Sequence, residues 1–336
     1  MSKRRPTQAD VAQIAGVSQT TVSYVLNGNT SISVPEETRQ RILAAAQTLS
    51  YVPDYAARSL RTRKTHTIAA IIPDIANPFY PAFARAVQDI ARQHNYDLIL
   101  YNTDELAEEE QKCLRSVERG RVDGMIIVPF HSTPDDLCRL IEHNMAVVVV
   151  GTDSGPYGHV LNTVGTDDIA VATLAVNHLI EKGHRAIAMI VGTDGPPHQT
   201  RIEGYRRALQ TAAIDHEQIA NGSAFTEVGG YEAMQQILKS PEHPTAVFAA
   251  NDLMAIGAMR AIKEVGLRIP EDIAIVGIDN IPAANLVLPA LTSVNPFPER
   301  KGQRAAEVLF QILDGTYPIT GQHEEIPYQL IVRGSA

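Results

Sequence analysis

Along the first fifty residues, apolar positions recur at helical spacing in three short stretches. Thr7 followed by Asp10 has the spacing of an N-cap and its reciprocal acid, and opens a helix of about eight residues with Val11, Ile14 and Ala15 as its inner face. Gly16 ends it, since glycine accepts the left-handed conformation of a tight turn. Val17 plugs the angle between helices, and Ser18 caps a second helix that reaches about Asn27. In that helix Val22, Val25 and Leu26 turn inward, while Gln19, Thr20, Ser23 and Tyr24 face out. A third begins near Pro35 with Ile42, Leu43, Ala46 and Leu49 as its inner stripe. From Thr67 the pattern changes to short aliphatic runs separated by amphipathic stretches. The runs 68–72, 98–101, 125–128, 147–150, 186–190, 246–249, 273–276 and 330–332 predict strands, and 80–94, 170–182 and 253–265 are among the helices between them. Continuous β-branched runs fit strands buried on both faces of parallel sheets, and the winding falls in two blocks, the second opening about one hundred residues after the first.

Composition changes this picture in one respect. At 336 residues, 44% hydrophobic and 20% charged, the chain is an ordinary globular protein with room for a small domain and a larger one. Its net charge of −9, however, is unevenly distributed: nine Lys/Arg against four Asp/Glu leave residues 1–64 at +5 and the remainder at −14. A basic head on an acidic body implies that the head alone meets a polyanion. The polar, basic start is followed by no apolar stretch of the export type, and runs such as 146–150 are too short for a bilayer, so a cytoplasmic, DNA-associated protein with no membrane partner is expected. Cys113 and Cys138 have no metal-ligand spacing and read as packing residues in helices.

Two short helices around Ala15-Gly16-Val17-Ser18 have the proportions of a helix-turn-helix, in which the first turn of the second helix offers polar side chains to base edges in the major groove. Downstream, Pro53 and Asp54 can start one or two helical turns carrying Arg58, Leu60 and Arg61. So short a helix is unstable alone in water. An exposed leucine among arginines makes sense if the segment pairs with a twin and wedges into a minor groove.

The runs ADVAQIAGVSQTTVSYVLNG and EETRQRILAAAQTLSYVPDYAARSL resemble the DNA-binding head and hinge helix of the lactose-repressor/galactose-repressor (LacI/GalR) family. The resemblance implies base reading by Gln19, Thr20 and Tyr24, with Thr7, Ser18, Thr21, Ser23 and Asn27 in support. It also implies DNA contacts at Tyr51, Ala57 and Arg58, with Leu60 as the minor-groove lever. Tyr24 stands where arginine is common, and arginine there would suit a bidentate grip on guanine.

In the body, polar residues gather after predicted strands, where open parallel sheets bind ligands. Asn77, Phe79 and Tyr80 follow the first strand and Asp104 the second, and Arg201, Asn251 and Asp279 follow later ones. Paired donors and acceptors with aromatic faces suit a polyhydroxylated ligand such as a sugar. The runs IIPDIANPFYPAFARAV, TRIEGYRRAL, AVFAANDLMAIGAMRAIKEVGLRIPEDIAIVGIDN, LTSV and LIVRGS resemble the periplasmic-binding-protein-like effector domain of the same family, so the resemblance covers nearly the whole chain. It implies an α/β effector domain of type I with two doubly wound parallel-sheet subdomains behind the all-α helix-turn-helix head and hinge helix. Expected limits are 1–50 for the head, 51–64 for the hinge and 65–336 for the effector domain, with an N-subdomain of about 65–165 and 294–321 and a C-subdomain of about 166–293 and 322–336. The implied effector cleft is lined by Asn77, Phe79, Tyr80, Arg201, Phe225, Asn251 and Asp279, with Asp104 and Asp153 added. Pro296 replaces a glutamine frequent in the family, and the loop before Arg201 lacks the arginine of purine-binding relatives, which favours a carbohydrate.

A periplasmic sugar carrier would share the body but has no use for residues 1–60. A head fused to a sugar-binding enzyme such as a kinase would need a phosphate cradle, and neither GxxxxGK[ST] nor a strand-linked GxGxxG is present. There is no G-x-S-x-G elbow and no HExxH, and His94, His143, His178, His184 and His243 read as surface or helix-end residues. The expectation is therefore a non-enzymatic repressor without cofactor. It binds a near-palindromic operator in double-stranded DNA as a homodimer, no leucine-heptad tail being present, and a small effector shifts that binding.

Overall fold

The reciprocal cap at Thr7 forms: Asp10 N donates to Thr7 Oγ1 (3.4 Å) while Thr7 N donates to an Asp10 carboxylate oxygen (2.7 Å). Helix α1 (Gln8–Ala15) ends on Gly16 at φ 66°, the left-handed stop expected there. With α2 (Gln19–Leu26) and α3 (Glu36–Thr48) it encloses a small core of Val11, Ala12, Ala15, Val22, Val25, Ile42, Ala45 and Ala46. Two predicted inward residues are corrected. Ile14 is 56% exposed and Leu43 is 43% exposed. At about 100° per residue, Ile14 lies off the arc shared by Val11, Ala12 and Ala15, and Leu43 lies off that of Ile42, Ala45 and Ala46. The computed structural model describes residues 6–26, 33–52, 64–151, 157–158, 160–193, 195–240 and 243–336. It divides into two compact units, 1–65 and 66–336.

The larger unit holds two six-stranded sheets. In the first, β1 (Thr67–Ile72), β2 (Asp97–Asn102), β3 (Gly124–Ile127), β4 (Ala146–Val150) and β5 (Asn162–Gly165) alternate with α4 (Phe79–Gln93), α5 (Ala107–Ser116) and α6 (Pro134–Glu142). The second uses α7 (Asp168–Glu181), β6 (Ile187–Val191), α8 (Pro196–Thr211), β7 (Gln218–Asn221), α9 (Glu227–Lys239), β8 (Ala246–Ala249), α10 (Asp252–Glu264), β9 (Ala274–Ile278) and β10 (Thr292–Asn295). The chain then returns through α11 (Pro298–Leu313) and β11 (His323–Glu325) to β12 (Gln329–Ile331). Sheet orders are β11-β5-β4-β3-β1-β2 and β12-β10-β9-β8-β6-β7.

Both faces of the first sheet are covered, which is why its strands read as unbroken apolar runs. Ile68, Ile72, Ile126 and Val148 pack with Phe83 and Leu309 on one side. Ala69, Ile71, Met125 and Val147 pack with Leu114 and Leu137 on the other. Cys113 belongs to that second core and Cys138 is half-buried against it.

Two boundaries and one strand direction differ from expectation. Asn295 remains within β10 of the second sheet, which the expected limit at 294 would have cut. The expected C-subdomain from 322 onward loses its first residues, because His323–Glu325 runs parallel to β5 in the first sheet and only β12 joins the second. β12 is antiparallel to β10, so the second sheet is mixed at that edge. The chain crosses between β10 and α11 through Pro296 and Phe297, and between β11 and β12 through 326–328; connections so short have no periodicity of their own, so patterning does not locate them. His178, expected as a surface or helix-end residue, lies in the last turn of α7 but is buried there, and burial lowers its pKa by disfavouring the imidazolium. Among the described residues no helix is long and apolar enough to cross a membrane.

Candidate DNA-reading head and effector cleft

In the head, α2 begins where Ser18 Oγ accepts Thr21 N (3.1 Å) and shares a hydrogen bond with Thr21 Oγ1 (2.8 Å). That cap leaves Gln19 and Thr20 exposed on the first turn, with Tyr24 half-exposed one turn on. Ser23 is the correction: it is 8% exposed and belongs to the inner face beside Val22, where its small volume fits between packed helices. Thr7 spends its hydroxyl on Asp10 (2.7 Å). Tyr51 is half-buried against the head core, its N donating to Ala46 O (2.8 Å). Asn27, Ala57, Arg58, Leu60 and, in the body, Asp153 lie outside the described residues.

In the body, a cavity of 190 Å³ lies between the carboxyl ends of the two sheets. Strand after strand contributes to it, as open parallel sheets dictate. Asn77, Phe79 and Tyr80 follow β1, and Phe130 follows β3. Thr166 and Asp168 follow β5, Arg201 comes from the start of α8, and Phe225 follows β7. Asn251 follows β8, Asp279 follows β9, and Pro296 with Lys301 follows β10. Seven of the predicted residues thus meet in one place: Asn77, Phe79, Tyr80, Arg201, Phe225, Asn251 and Asp279. Asp104 does not line the cavity. It is exposed, at φ 51°, and its carboxylate accepts Asn102 Nδ2 (2.5 Å), while Glu105 takes the wall position.

Two of these side chains serve the scaffold first. Asn77 Oδ1 accepts Phe79 N (3.0 Å) at the mouth of α4. Asn251 Oδ1 caps α10 through Met254 N (2.8 Å), and its Nδ2 donates to Phe225 O (2.9 Å). Both fix the ring-bearing loops. The free chemistry belongs to four charged groups. Arg201 donates through Nη1 to Ala250 O and lies 3.9 Å from Asp168, while its buried Nε has no hydrogen-bond partner. Lys301 is 7% exposed, with its ammonium 5.6 Å from the Phe79 ring centroid.

Asp279 is 7% exposed at φ 110°, a conformation that L side chains rarely adopt. Its loop is held by Asp279 N donating to Val294 O (2.9 Å), Asn280 N to Ser293 Oγ (3.0 Å) and Ile281 N to the buried Asp252 (2.9 Å). Burial pushes the Asp279 carboxyl up to about 6 against the pull of Arg201 and Lys301. Burial likewise lowers the Lys301 ammonium. Tyr80 stays a neutral donor, its pKa raised well above the usual value by burial and then by Asp279 and Glu105.

Lys301 was missed from the sequence, as were Asp168, Glu105 and Phe130. A signal existed for Lys301: it shares a helical face with the buried Ala305 and Leu309, where a lysine is out of pattern. Among the described residues no group of three or more His, Cys, Asp and Glu is placed to hold a metal ion.

Both units resemble known proteins. Residues 7–54 match the model of the bacterial regulatory proteins of the lacI family, and residues 176–336 match that of a periplasmic binding protein-like domain. The ribose operon repressor of Escherichia coli (strain K12) is 34% identical over 335 residues, covering 98% of this chain and 99% of that one. A lac repressor dimer bound to operator and the anti-inducer ONPF superposes with a TM-score of 0.87 at 27% identity over 99% of both chains. The transcriptional regulator CelR in complex with cellobiose gives 0.73 at 31% identity, covering 99% of this chain and 100% of that one. The chain therefore belongs to the lacI family of bacterial regulatory proteins, and it is a sequence-specific DNA-binding repressor whose hold on its operator is set allosterically by a small molecule.

Proposed function

We propose that the small molecule is a sugar held in the cleft by Asp279, Arg201, Lys301 and Asp168, and that the repressor works as a homodimer whose heads read DNA through Gln19, Thr20 and Tyr24. The observation that carries the sugar is a cavity with unmet hydrogen-bonding capacity of both signs. Arg201 Nε lacks a partner, and the Lys301 ammonium and the Asp279 carboxylate face the same space. A hydroxyl donates and accepts at once, so a polyol can satisfy a carboxylate with one side of each group and a cation with the other. Phe79, Tyr80 and Phe225 supply faces for the apolar side of a ring. A nucleobase has fewer groups that both donate and accept, and fits this balance less well.

Support for the dimer comes from the larger unit. Leu286 and Leu288 are each 78% exposed, and Val265 at the end of α10 is 58% exposed. Leucines that open to water near one another mark a protein interface more often than a bare surface. A dimer presents two heads to a two-fold operator, and effector binding at the cleft would change their spacing. Coupling of about 1–3 kcal/mol would shift operator affinity roughly 5- to 150-fold.

The test is binding of the full-length protein to a DNA fragment carrying its own promoter, at fixed salt, with a panel of sugars. Specific binding that one sugar shifts by about tenfold or more is the expected result. Specific binding that no sugar moves would discard the sugar and leave the repressor.

A further inference from the structure

We propose that the effector is a single-ring, uncharged sugar, and that Phe130 sets the size limit. This rests on the reading of the cleft as a sugar site. The similar chains do not decide the matter, since one is named for ribose and another is complexed with cellobiose.

Volume is the first argument. The cavity is 190 Å³, the scale of a small ligand. A monosaccharide has about half the non-hydrogen atoms of a disaccharide, so a wall across the cleft tells the two apart.

The wall that closes the cavity is the second argument. Phe130, from the loop after β3, lies across the cleft against Gly195, just ahead of α8. A methyl group on Gly195 would stand 2.5 Å from Phe130 Cε1 and 2.6 Å from Cδ1. Ring and backbone therefore touch, and no second sugar ring passes between them. Both sides are fixed in place. Glu110 is 1% exposed, and its carboxylate accepts Phe130 N (3.1 Å), Ser132 N (2.7 Å), His131 N (3.3 Å) and Ser132 Oγ. Opposite, the His198 ring Nδ1 bonds Gly192 O (2.6 Å), holding the corner that carries Gly195. A buried carboxylate satisfied by backbone N–H groups resists movement, because any opening of the loop leaves it unpaired.

The charge state follows from the charged groups of the lining. With Glu105 in the wall, Asp168 and Asp279 make three carboxylates against the two cations Arg201 and Lys301, so the lining has no net positive charge to spare for an acidic ligand. Among the described residues, no carboxylate lies within ion-pair distance of Lys301 and it has no hydrogen bond. Its three N–H groups are left for the ligand, and an uncharged hydroxyl or ring oxygen accepts from them without adding to the negative charge of the lining. An acidic sugar would add an anion beside Asp168, Asp279 and the Glu105 wall.

The experiment is calorimetric titration of the full-length protein, wild type and Phe130→Ala. The panel is ribose, xylose, glucose and galactose, with cellobiose, maltose and lactose, and with gluconate and glucose 6-phosphate. The expected result is binding of at least one monosaccharide, with every disaccharide and acidic sugar weaker by about 100-fold or more. In Phe130→Ala the disaccharide-to-monosaccharide affinity ratio rises by about tenfold or more, and Phe130→Leu moves it the same way by less. A disaccharide or acidic sugar binding the wild type as tightly as any monosaccharide would overturn the proposal while leaving the sugar site intact. An unchanged ratio in both variants would remove Phe130 as the limit. Binding of no sugar at all would overturn this proposal and the sugar reading together.

Discussion

Asp279 combines burial, a left-handed backbone and a carboxyl shifted up to about 6, and each has a separate cause. The backbone is held by partners on β10 and by Asp252, so the strain is sustained by packing. The shift comes from burial, only partly offset by Arg201 and Lys301. A ligand hydroxyl donating to the ionised carboxylate lowers its pKa in the complex relative to the free protein. Effector affinity is therefore full above about pH 6 and falls as pH drops through about 6, because a protonated carboxyl must first lose its proton. In Asp279→Asn the affinity at neutral pH should be roughly 10- to 100-fold weaker, and the decline on acidification should vanish. Titration calorimetry at several pH values checks both, and a wild-type affinity flat across that window would show that the ligand does not use the carboxylate. At this scale the sequence singled out residues lying just beyond strands, and the structure brings Asn251 and Asp279 among them to the cavity wall, their position in the chain being itself the signal. It passed over Phe130, since an aromatic in a loop carries no sign of what it faces.

At the scale of elements, the caps were the most legible features, because a cap is decided by residues three positions apart. Replacing Thr7 with Ala removes the hydroxyl that accepts Asp10 N and donates to the Asp10 carboxylate, and leaves the bond from Thr7 N to that carboxylate in place. The expected cost is about 1 kcal/mol of local stability, or roughly a fivefold loss of hydrogen-exchange protection in α1 amides of the full-length protein. Unchanged protection would mean that the helix depends on the head core alone. The inner faces of these helices were less legible. Ser23, Ile14 and Leu43 were each assigned to the wrong side, because a helix of two or three turns places several residues near the edge of its buried arc. Which edge is covered depends on where the neighbouring helices lie, and local spacing does not contain that.

For the whole molecule, the two sheets are linked by crossings between β5 and α7, between β10 and α11, and between β11 and β12, which put α11 on the first sheet and β10 and β12 on the second. The cleft exists because of those crossings, since Lys301 and Asp279 reach it from different passes of the chain. The exposed Leu286 and Leu288 belong to the same scale. Changing both to Asp should convert the dimer to monomer in sedimentation and weaken operator binding by about 100-fold or more, while effector affinity is retained. A double variant that stays dimeric would move the interface elsewhere.

The lessons of the three scales divide along one physical line. Periodicity, capping pairs, glycine stops and the charge contrast between head and body act through neighbours in the chain, so the sequence alone determined a helical DNA-reading head followed by a twice-wound α/β body. Tertiary structure alone decided that Lys301 and Asp168 join Arg201 and Asp279, that Glu105 rather than Asp104 forms the wall, and that Phe130 meets Gly195. Those outcomes depend on which strand ends converge and how closely two lobes approach, and residues brought together that way share no pattern along the chain.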